Sequence, residues 1–138
     1  MNRRQAREET FILIFQYEFR KDMDELLTDV FAVDENGEQV KQFGEQEDYV
    51  RQVCAQFVAN KEQIDELIEK HSQNWKKDRI SMVSLAVLRL GLCEMLFFDD
   101  IPNVVSIAEA VEIGKKFGGI EVVPFINGIL EGARGELT

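Results

Sequence analysis

The chain has 138 residues, 45% of them hydrophobic, and a net charge of −10 from 26 acidic and 16 basic residues. This length and apolar fraction favour a single domain over residues 1–138, or two small bundles that share a core. A globally acidic chain is a weak candidate for non-specific nucleic-acid binding, although a local basic cluster can still bind phosphate. Cys54 and Cys93 make neither a disulfide framework nor a metal site, so we expect reduced core thiols in a cytoplasmic protein.

The predicted first helix spans residues 2–21, and Asn2 is its expected N-cap. Arg3, Arg4 and Arg7 lie on one face of this helix, because residues three and four positions apart are neighbours. Three cations at a helix N-terminus oppose the macrodipole and repel each other, so a purely structural helix would prefer acids there. The pattern therefore predicts either a phosphate-binding patch or a frayed, solvated terminus, and it leaves both open.

Short amphipathic patterns predict outer helices at 23–32, 48–59 and 60–71. Val58 is expected to face the core, and a polar connection around Trp75 follows the last of these helices. His71 is the sole histidine of the chain. Because no second ligand lies near it in the sequence, we interpret it as a surface residue at a helix end and not as a metal ligand.

Residues 33–47 interrupt the helical pattern. The segment is acidic, poor in aliphatic residues, and contains the turn signal Asn36-Gly37. We therefore expect an exposed acidic loop at 33–47, with at most one short turn of structure around Val40 and Phe43.

The stretch at 80–98, ISMVSLAVLRLGLCEMLFF, is apolar on more than one helical face, which is typical of a helix packed on several sides. Arg89 and Glu94 interrupt the run, so the stretch is a poor membrane span. The sequence lacks the runs of alternating β-branched residues that would predict strands. It therefore predicts an all-α domain whose other helices surround a central helix at 80–98.

Two more helices are predicted near the end of the chain. The first is expected to begin with Asn103 or Ser106 as its cap, and Glu109 stands where a capping box requires an acid. The second is expected to carry Pro124 in its first turn and to fray in the glycine-rich segment 132–135.

The sequence contains no recognisable set of catalytic residues. It has no P-loop and no GxSxG elbow, and a single histidine leaves little for a nucleophile–base pair. Its carboxylates are spread over faces expected to be solvated. We therefore expect neither enzyme activity nor a bound metal.

Three stretches together resemble one protein family in order and spacing. They are the arginine-rich opening RRQAREETFILIFQYE, the centre LRLGLCEM followed by IPNVVSIAEAVEIGKKFG, and the closing motif PFINGIL. Over almost its full length the chain is similar to the NusB family of bacterial transcription antitermination factors. The resemblance implies an all-α fold of two small helical bundles around a central helix, with no catalytic activity and no cofactor.

The resemblance also implies binding partners. These are the boxA element of nascent RNA, the small-subunit ribosomal protein NusE and the transcription elongation complex on ribosomal RNA operons, with no membrane partner. Two alternatives stay open: an RNA-targeting module related to cytosine-5 rRNA methyltransferases, and a purely structural, self-associating helical domain. Relatives include monomers and dimers, so a homodimer is also open.

The family motifs imply site residues in this chain. The RNA-binding positions are Arg3, Arg4, Gln5, Arg7, Glu121 and Phe125, and the NusE-binding positions are Phe15 and Ser84. Gln5 keeps hydrogen bonding where relatives can have another arginine. Phe125 is expected either to stack on a base or to pack in the core. A carboxylate at Glu121 repels phosphate and is expected to restrain affinity.

Two further motif residues are interpreted as structural. Glu94 is expected to accept hydrogen bonds from free backbone N–H groups at the start of the following helix. Asn127 is expected to satisfy backbone groups where helices meet.

Overall fold

The computed structural model describes residues 1–72 and 80–137, so the predicted connection around Trp75 lies outside the described residues. In those ranges the α-helices are α1 (Arg3–Arg20), α2 (Met23–Val30), α3 (Glu47–Ala59), α4 (Lys61–His71), α5 (Met82–Phe97), α6 (Asn103–Gly118) and α7 (Val123–Leu137). Single 3-10 turns lie at Gly44–Gln46 and Ile120–Val122. The β structure of the described chain is limited to an isolated bridge between Val33 and Gln39. The predicted all-α fold is confirmed.

Helix α5 is the centre of the fold. Each of its residues from Ser84 to Met95 is buried, and α5 contacts α1, α3, α4, α6 and α7. Because α1 also contacts α3, and α6 contacts α7, two groups of helices share α5, as the predicted arrangement requires. A helix enclosed in this way is apolar on several faces, which explains its sequence. No helix within the described ranges combines the length and the hydropathy that crossing a membrane requires.

Arg89 interrupts the apolar sequence of α5 without leaving an unpaired charge in the core. Its Nε and Nη2 donate to the carboxylate of Asp65 on α4 at 2.9 and 3.0 Å, and its Nη1 donates to Glu18 on α1 at 2.7 Å. A buried guanidinium is tolerated only when it is paired in this way. The ion pairs therefore join α1, α4 and α5.

Helix α1 begins with the predicted cap. Asn2 Oδ1 accepts a hydrogen bond from the backbone N–H of Gln5 at 2.8 Å, and Gln5 Oε1 accepts one from the backbone N–H of Asn2 at 2.9 Å. This capping box satisfies two free N–H groups without placing an acid beside the arginines. Gln5 therefore has a capping role, and the contact with RNA that the resemblance implies for it stays a prediction.

The predicted capping box of α6 is wrong. Helix α6 begins at Asn103, and its N-cap position makes no side-chain hydrogen bond. Ser106 is buried and donates from Oγ to Glu94, while Glu109 accepts from Arg4. Other helices provide the partners of both motif residues, so tertiary contacts override the local pattern.

Pro124 lies in the first turn of α7, as predicted, whereas the expected fraying at 132–135 is wrong because α7 is helical through this segment. Gly132 lies where α7 approaches α4, and a Cβ atom there would be 2.9 Å from His71 Nδ1. Glycine thus permits close packing at this position. His71 Nε2 in turn lies 2.6 Å from Glu136 Oε2 on α7.

The loop at 33–47 has one anchor in the core. Most of its residues are exposed, but Phe43 is fully buried, with its ring centroid 4.8 Å from that of Phe31. Gly37 has φ +78° and occupies the turn that the sequence signalled. Val58, predicted to face the core from the following helix, is instead exposed.

Candidate nucleic-acid interface

Glu94 lies at the junction of four helices beneath the start of α1. The residue is 1% exposed, and its carboxylate accepts from Arg7 Nε at 2.7 Å, Arg7 Nη2 at 3.2 Å and Ser106 Oγ at 2.8 Å. The hydroxyl of Tyr49 on α3 also donates to it. The predicted structural role of Glu94 is confirmed, but its partners are side chains and not the backbone N–H groups that were expected.

Tyr49 supports this junction in its neutral form. Burial, followed by the negative charge of Glu94, raises the pKa of Tyr49 far above its ordinary value. Its hydroxyl therefore remains a hydrogen-bond donor at any ordinary pH. Because low dielectric surroundings strengthen hydrogen bonds to a charge, the network fixes α1 relative to α3, α5 and α6.

Arg7 belongs to this buried junction, which corrects its predicted position in a surface patch. The residue is only 5% exposed, since the carboxylate of Glu94 in the core requires a cation beside it. The spacing that makes Arg3, Arg4 and Arg7 neighbours on α1 is correct, but the helix turns Arg7 toward the interior. Of these three arginines, Arg3 and Arg4 remain at the surface.

Arg3 is half-buried and its described contacts are with uncharged groups. Its guanidinium carbon lies 4.3 Å from the ring centroid of Tyr49, and its Nε donates to Gln46 Oε1 at 2.6 Å. A cation over an aromatic face is attracted by the ring quadrupole and keeps its full charge. Arg3 is therefore oriented without being neutralised.

Arg4 is the most accessible arginine of the motif, with a side chain that is 68% exposed. Its Nε and Nη2 donate to the two carboxylate oxygens of Glu109 on α6, at 3.1 and 2.9 Å. The hydrogen bond to Glu109 and the negative charge of that carboxylate raise the pKa of Arg4. This pair attaches the start of α1 to α6 at the surface.

A cavity of about 380 Å³ opens beside this pair. Its lining residues are Arg4, Val104, Ile107, Ala108, Glu109, Val111, Glu112, Asn127 and Glu131. Asn127 is exposed here, so the structure does not support its expected role of satisfying backbone groups where helices meet. The cavity therefore lies where the first turn of α1 meets α6 and α7.

Of the other predicted RNA positions, Phe125 lies in the first turn of α7 and Glu121 in the 3-10 turn before it. Phe125 is half-buried and packs against the core, so core packing accounts for part of its side chain and the rest is accessible. Glu121 is exposed in the turn before α7. Gly119 precedes it with φ +89°, and a Cβ atom at Gly119 would lie 2.6 Å from Glu121 Oε1. A glycine is therefore required for this carboxylate to take its position.

The two predicted partner positions differ in accessibility. Phe15 is half-buried, and its ring centroid lies 6.2 Å from that of Phe11 and 5.5 Å from that of Phe19. Ser84 is only 3% exposed, and its backbone N–H donates to the hydroxyl of Ser81 that caps α5. This corrects the expected surface position of Ser84.

We name the four rings along one side of the molecule the aromatic row. It consists of Phe117, Phe11, Phe15 and Phe19. The centroids of Phe11 and Phe117 are 5.0 Å apart, and Phe19 is 66% exposed at the other end. Phe19 was not among the partner positions predicted from the sequence. The spacing of Phe11, Phe15 and Phe19 by four residues nevertheless indicates that the three rings share one face of α1.

Both cysteines are free and buried, as predicted. Burial raises the pKa of the Cys54 thiol to about 12. Over residues 1–72 and 80–137, no three His, Cys, Asp or Glu side chains are grouped so as to hold a metal ion.

Comparisons with known proteins place the chain in a family. The NusB family model matches residues 4–134. The transcription antitermination protein NusB of Natranaerobius thermophilus is 45% identical over 140 residues, in a match that covers 100% of this chain and 98% of that protein. The structure of T. maritima NusB superimposes with a TM-score of 0.84 at 34% identity, covering 99% of this chain and 92% of that chain.

A chain from the complex of the antitermination factors NusB and NusE with double-stranded RNA has the same fold. It superimposes with a TM-score of 0.72 at 23% identity and covers 96% of each chain. The resemblance predicted from the three sequence stretches is confirmed. With a family match over most of its length and a relative 45% identical across the whole of it, this chain belongs to the NusB family of non-enzymatic transcription antitermination factors.

Proposed function

We propose that this protein acts in transcription antitermination by binding boxA-type RNA jointly with the ribosomal protein NusE. The name of its relatives and the complex of NusB, NusE and RNA support this proposal. The observation that carries it is the pair of surface arginines at the start of α1, Arg4 at 68% side-chain exposure and the half-buried Arg3, in a chain whose net charge is −10. Cations at this helix end oppose the macrodipole, and phosphate binding gives them a use.

Each residue of the interface has a distinct role in this proposal. Arg3 and Arg4 contact phosphates, and Phe125 offers the accessible part of its ring for stacking on a base. Glu121 repels phosphate and restrains affinity. Arg7 positions the first turn of α1 through Glu94 without itself touching RNA.

We assign to NusE the accessible part of the aromatic row around Phe15 and Phe19, because Phe11 is only 3% exposed. The exposed end of the aromatic row at Phe19 continues the predicted partner position Phe15, and exposed aromatic side chains are enriched where proteins bind each other. Ser84 takes no direct part, since it is buried. The resulting heterodimer joins the transcription elongation complex, so the protein acts in the cytoplasm.

Fluorescence anisotropy tests the RNA assignment. A labelled boxA strand and a scrambled strand are titrated with the protein, with and without NusE. We expect tight binding of the boxA strand only when NusE is present, and affinity reduced roughly tenfold by Arg3→Ala or Arg4→Ala, the loss of one charge-assisted hydrogen bond. The slope of log affinity against log salt falls by about 0.7 for each lost phosphate contact.

The matched control is Arg20→Ala, which removes an arginine from the opposite end of α1 and should leave RNA affinity unchanged. Equal, weak binding of both strands, with no effect of NusE, would contradict the proposal.

Light scattering coupled to size exclusion tests the partner surface. Phe19→Ala is expected to weaken NusE binding, whereas Val40→Ala, which shortens an exposed apolar side chain in the loop at 33–47, should not. If the isolated protein is a dimer, and Phe19→Ala makes it monomeric without affecting NusE binding, the aromatic row serves self-association instead.

A further inference from the structure

The three arginines near the start of α1, Arg3, Arg4 and Arg7, differ in the groups that hold their charge. Arg7 is neutralised by a buried carboxylate and Arg3 is held by uncharged groups. Arg4 is exposed to solvent, yet both of its forward-facing donors already bind Glu109. A guanidinium binds carboxylate and phosphate with the same planar, two-point geometry. An RNA phosphate that approaches the Nε–Nη2 edge of Arg4 therefore meets an edge that Glu109 already occupies.

Glu109 is well placed to keep Arg4 occupied. Its side chain is only 16% exposed on α6, so the carboxylate is largely fixed while the arginine is the mobile partner. Glu112, on the next turn of α6, adds a further negative charge that acts on Arg4. The acidic side of the cavity thus attracts Arg4 and repels a nearby phosphate.

We propose that Glu109 competes with the RNA phosphate for Arg4 and thereby sets the RNA affinity of this surface. The inference rests on the proposed function, in which Arg4 contacts RNA. Exposed ion pairs are weak, so a phosphate can displace Glu109 from Arg4. We expect this displacement to lower the RNA affinity by about two- to fivefold. The corresponding pair of Arg7 and Glu94 is buried and is not open to exchange.

Replacement of Glu109 by glutamine tests this competition. Glu109→Gln keeps the shape of the side chain and removes the charge that holds Arg4. The matched control is Glu8→Gln, because Glu8 also forms an exposed ion pair between α1 and α6, accepting from Lys116 Nζ at 2.7 Å. Both variants change the net charge by +1, but only the first releases Arg4.

Anisotropy at low salt, with a boxA strand and NusE present, measures the RNA affinity of the wild type, Glu109→Gln, Glu8→Gln, Arg4→Ala and the double variant Arg4→Ala with Glu109→Gln. We expect Glu109→Gln to bind RNA about two- to fivefold more tightly than Glu8→Gln. When Arg4 is already replaced by alanine, adding Glu109→Gln should raise the RNA affinity by no more than Glu8→Gln raises that of the wild type. Thermal unfolding of each variant verifies that the fold is retained.

The outcomes separate the two proposals. If Arg4→Ala weakens binding but Glu109→Gln behaves like Glu8→Gln, the competition is refuted and the RNA site stands. Weaker binding by Glu109→Gln, or a gain that persists without Arg4, also refutes the competition. If Arg4→Ala binds as the wild type does, the RNA site itself is refuted, and the competition with it.

Discussion

Arg4 and Arg7 of α1 each form a two-point contact with a glutamate of another helix, and the two pairs differ chiefly in burial. Arg7 and Glu94 pair in the core, with both side chains almost inaccessible. Arg4 and Glu109 form the same two-point contact at the surface, where the arginine is largely exposed. Desolvation makes the first pair costly to break, and solvent makes the second easy to exchange. Identical chemistry therefore fixes the fold in one place and leaves a charge available for binding in the other.

The largest expected effect is the loss of stability on replacing Glu94. Glu94→Ala leaves Arg7 as a buried charge without its carboxylate, and we expect the free energy of unfolding to fall by about 3–5 kcal/mol. Denaturant unfolding followed by circular dichroism measures the change. A loss below about 1 kcal/mol would mean that water or another group takes over from Glu94.

A smaller effect is expected at Tyr49. Tyr49→Phe keeps the ring under Arg3 but removes one donor to the Glu94 carboxylate, for an expected loss of about 1–3 kcal/mol. The same unfolding experiment applies. Since the tyrosine stays neutral, the loss should be independent of pH between 6 and 9, about the range in which an unperturbed phenol is also neutral. A loss that varies across this range would point to a different role for the hydroxyl.

Arg4→Ala tests the surface pair of the comparison. Because the pair with Glu109 is exposed, we expect the thermal midpoint to stay at that of the wild type while RNA affinity falls. Differential scanning fluorimetry beside the anisotropy titration tests both halves. A clear drop in the midpoint would show that the surface pair stabilises the fold after all.

The smallest effect is expected at another surface contact, in which Glu136 on α7 binds Lys70 and His71 on α4. Hydrogen bonds from Lys70 and then His71 lower the pKa of Glu136 below its ordinary value of 4.5. A lowered carboxyl pKa stabilises the folded state above pH 4.5, and the contribution is lost as the pH falls through the folded-state pKa. Glu136→Gln should therefore lower stability slightly at neutral pH and not at pH 3, as thermal unfolding at the two pH values can measure. An equal effect at both pH values would exclude an electrostatic origin.

The central helix and the cap of α1 could be predicted from the sequence because each depends on local information. An apolar pattern on several faces leaves few options other than enclosure, and Asn2 meets its capping partner three residues away. The position of Arg7 was beyond such reasoning, since helical spacing says which residues are neighbours and not which way the helix faces. That direction is set by Glu94, 87 residues away along the chain.

Ser106 and Glu109 show how a correct local pattern can mislead. They match the capping-box spacing, but Glu94 and Arg4 bind them instead. Phe43 and Asn127 differ from expectation for a similar reason, because a loop residue becomes an anchor, or a motif residue becomes exposed, only through contacts between distant segments. The candidate site depends on such contacts more than the fold does.

The long sequence separation within the Glu94 junction has a consequence for synthesis of the protein. The arginines of α1 leave the ribosome first, but the carboxylate that orients the helix and the serine that completes the junction follow only after most of the chain has been made. Domains acquire their contacts as the required segments emerge. Although the start of α1 is translated before the residues that orient it, it reaches its working geometry only after they have emerged, and a chain that ends before Glu94 should be unable to present the phosphate-binding end of α1.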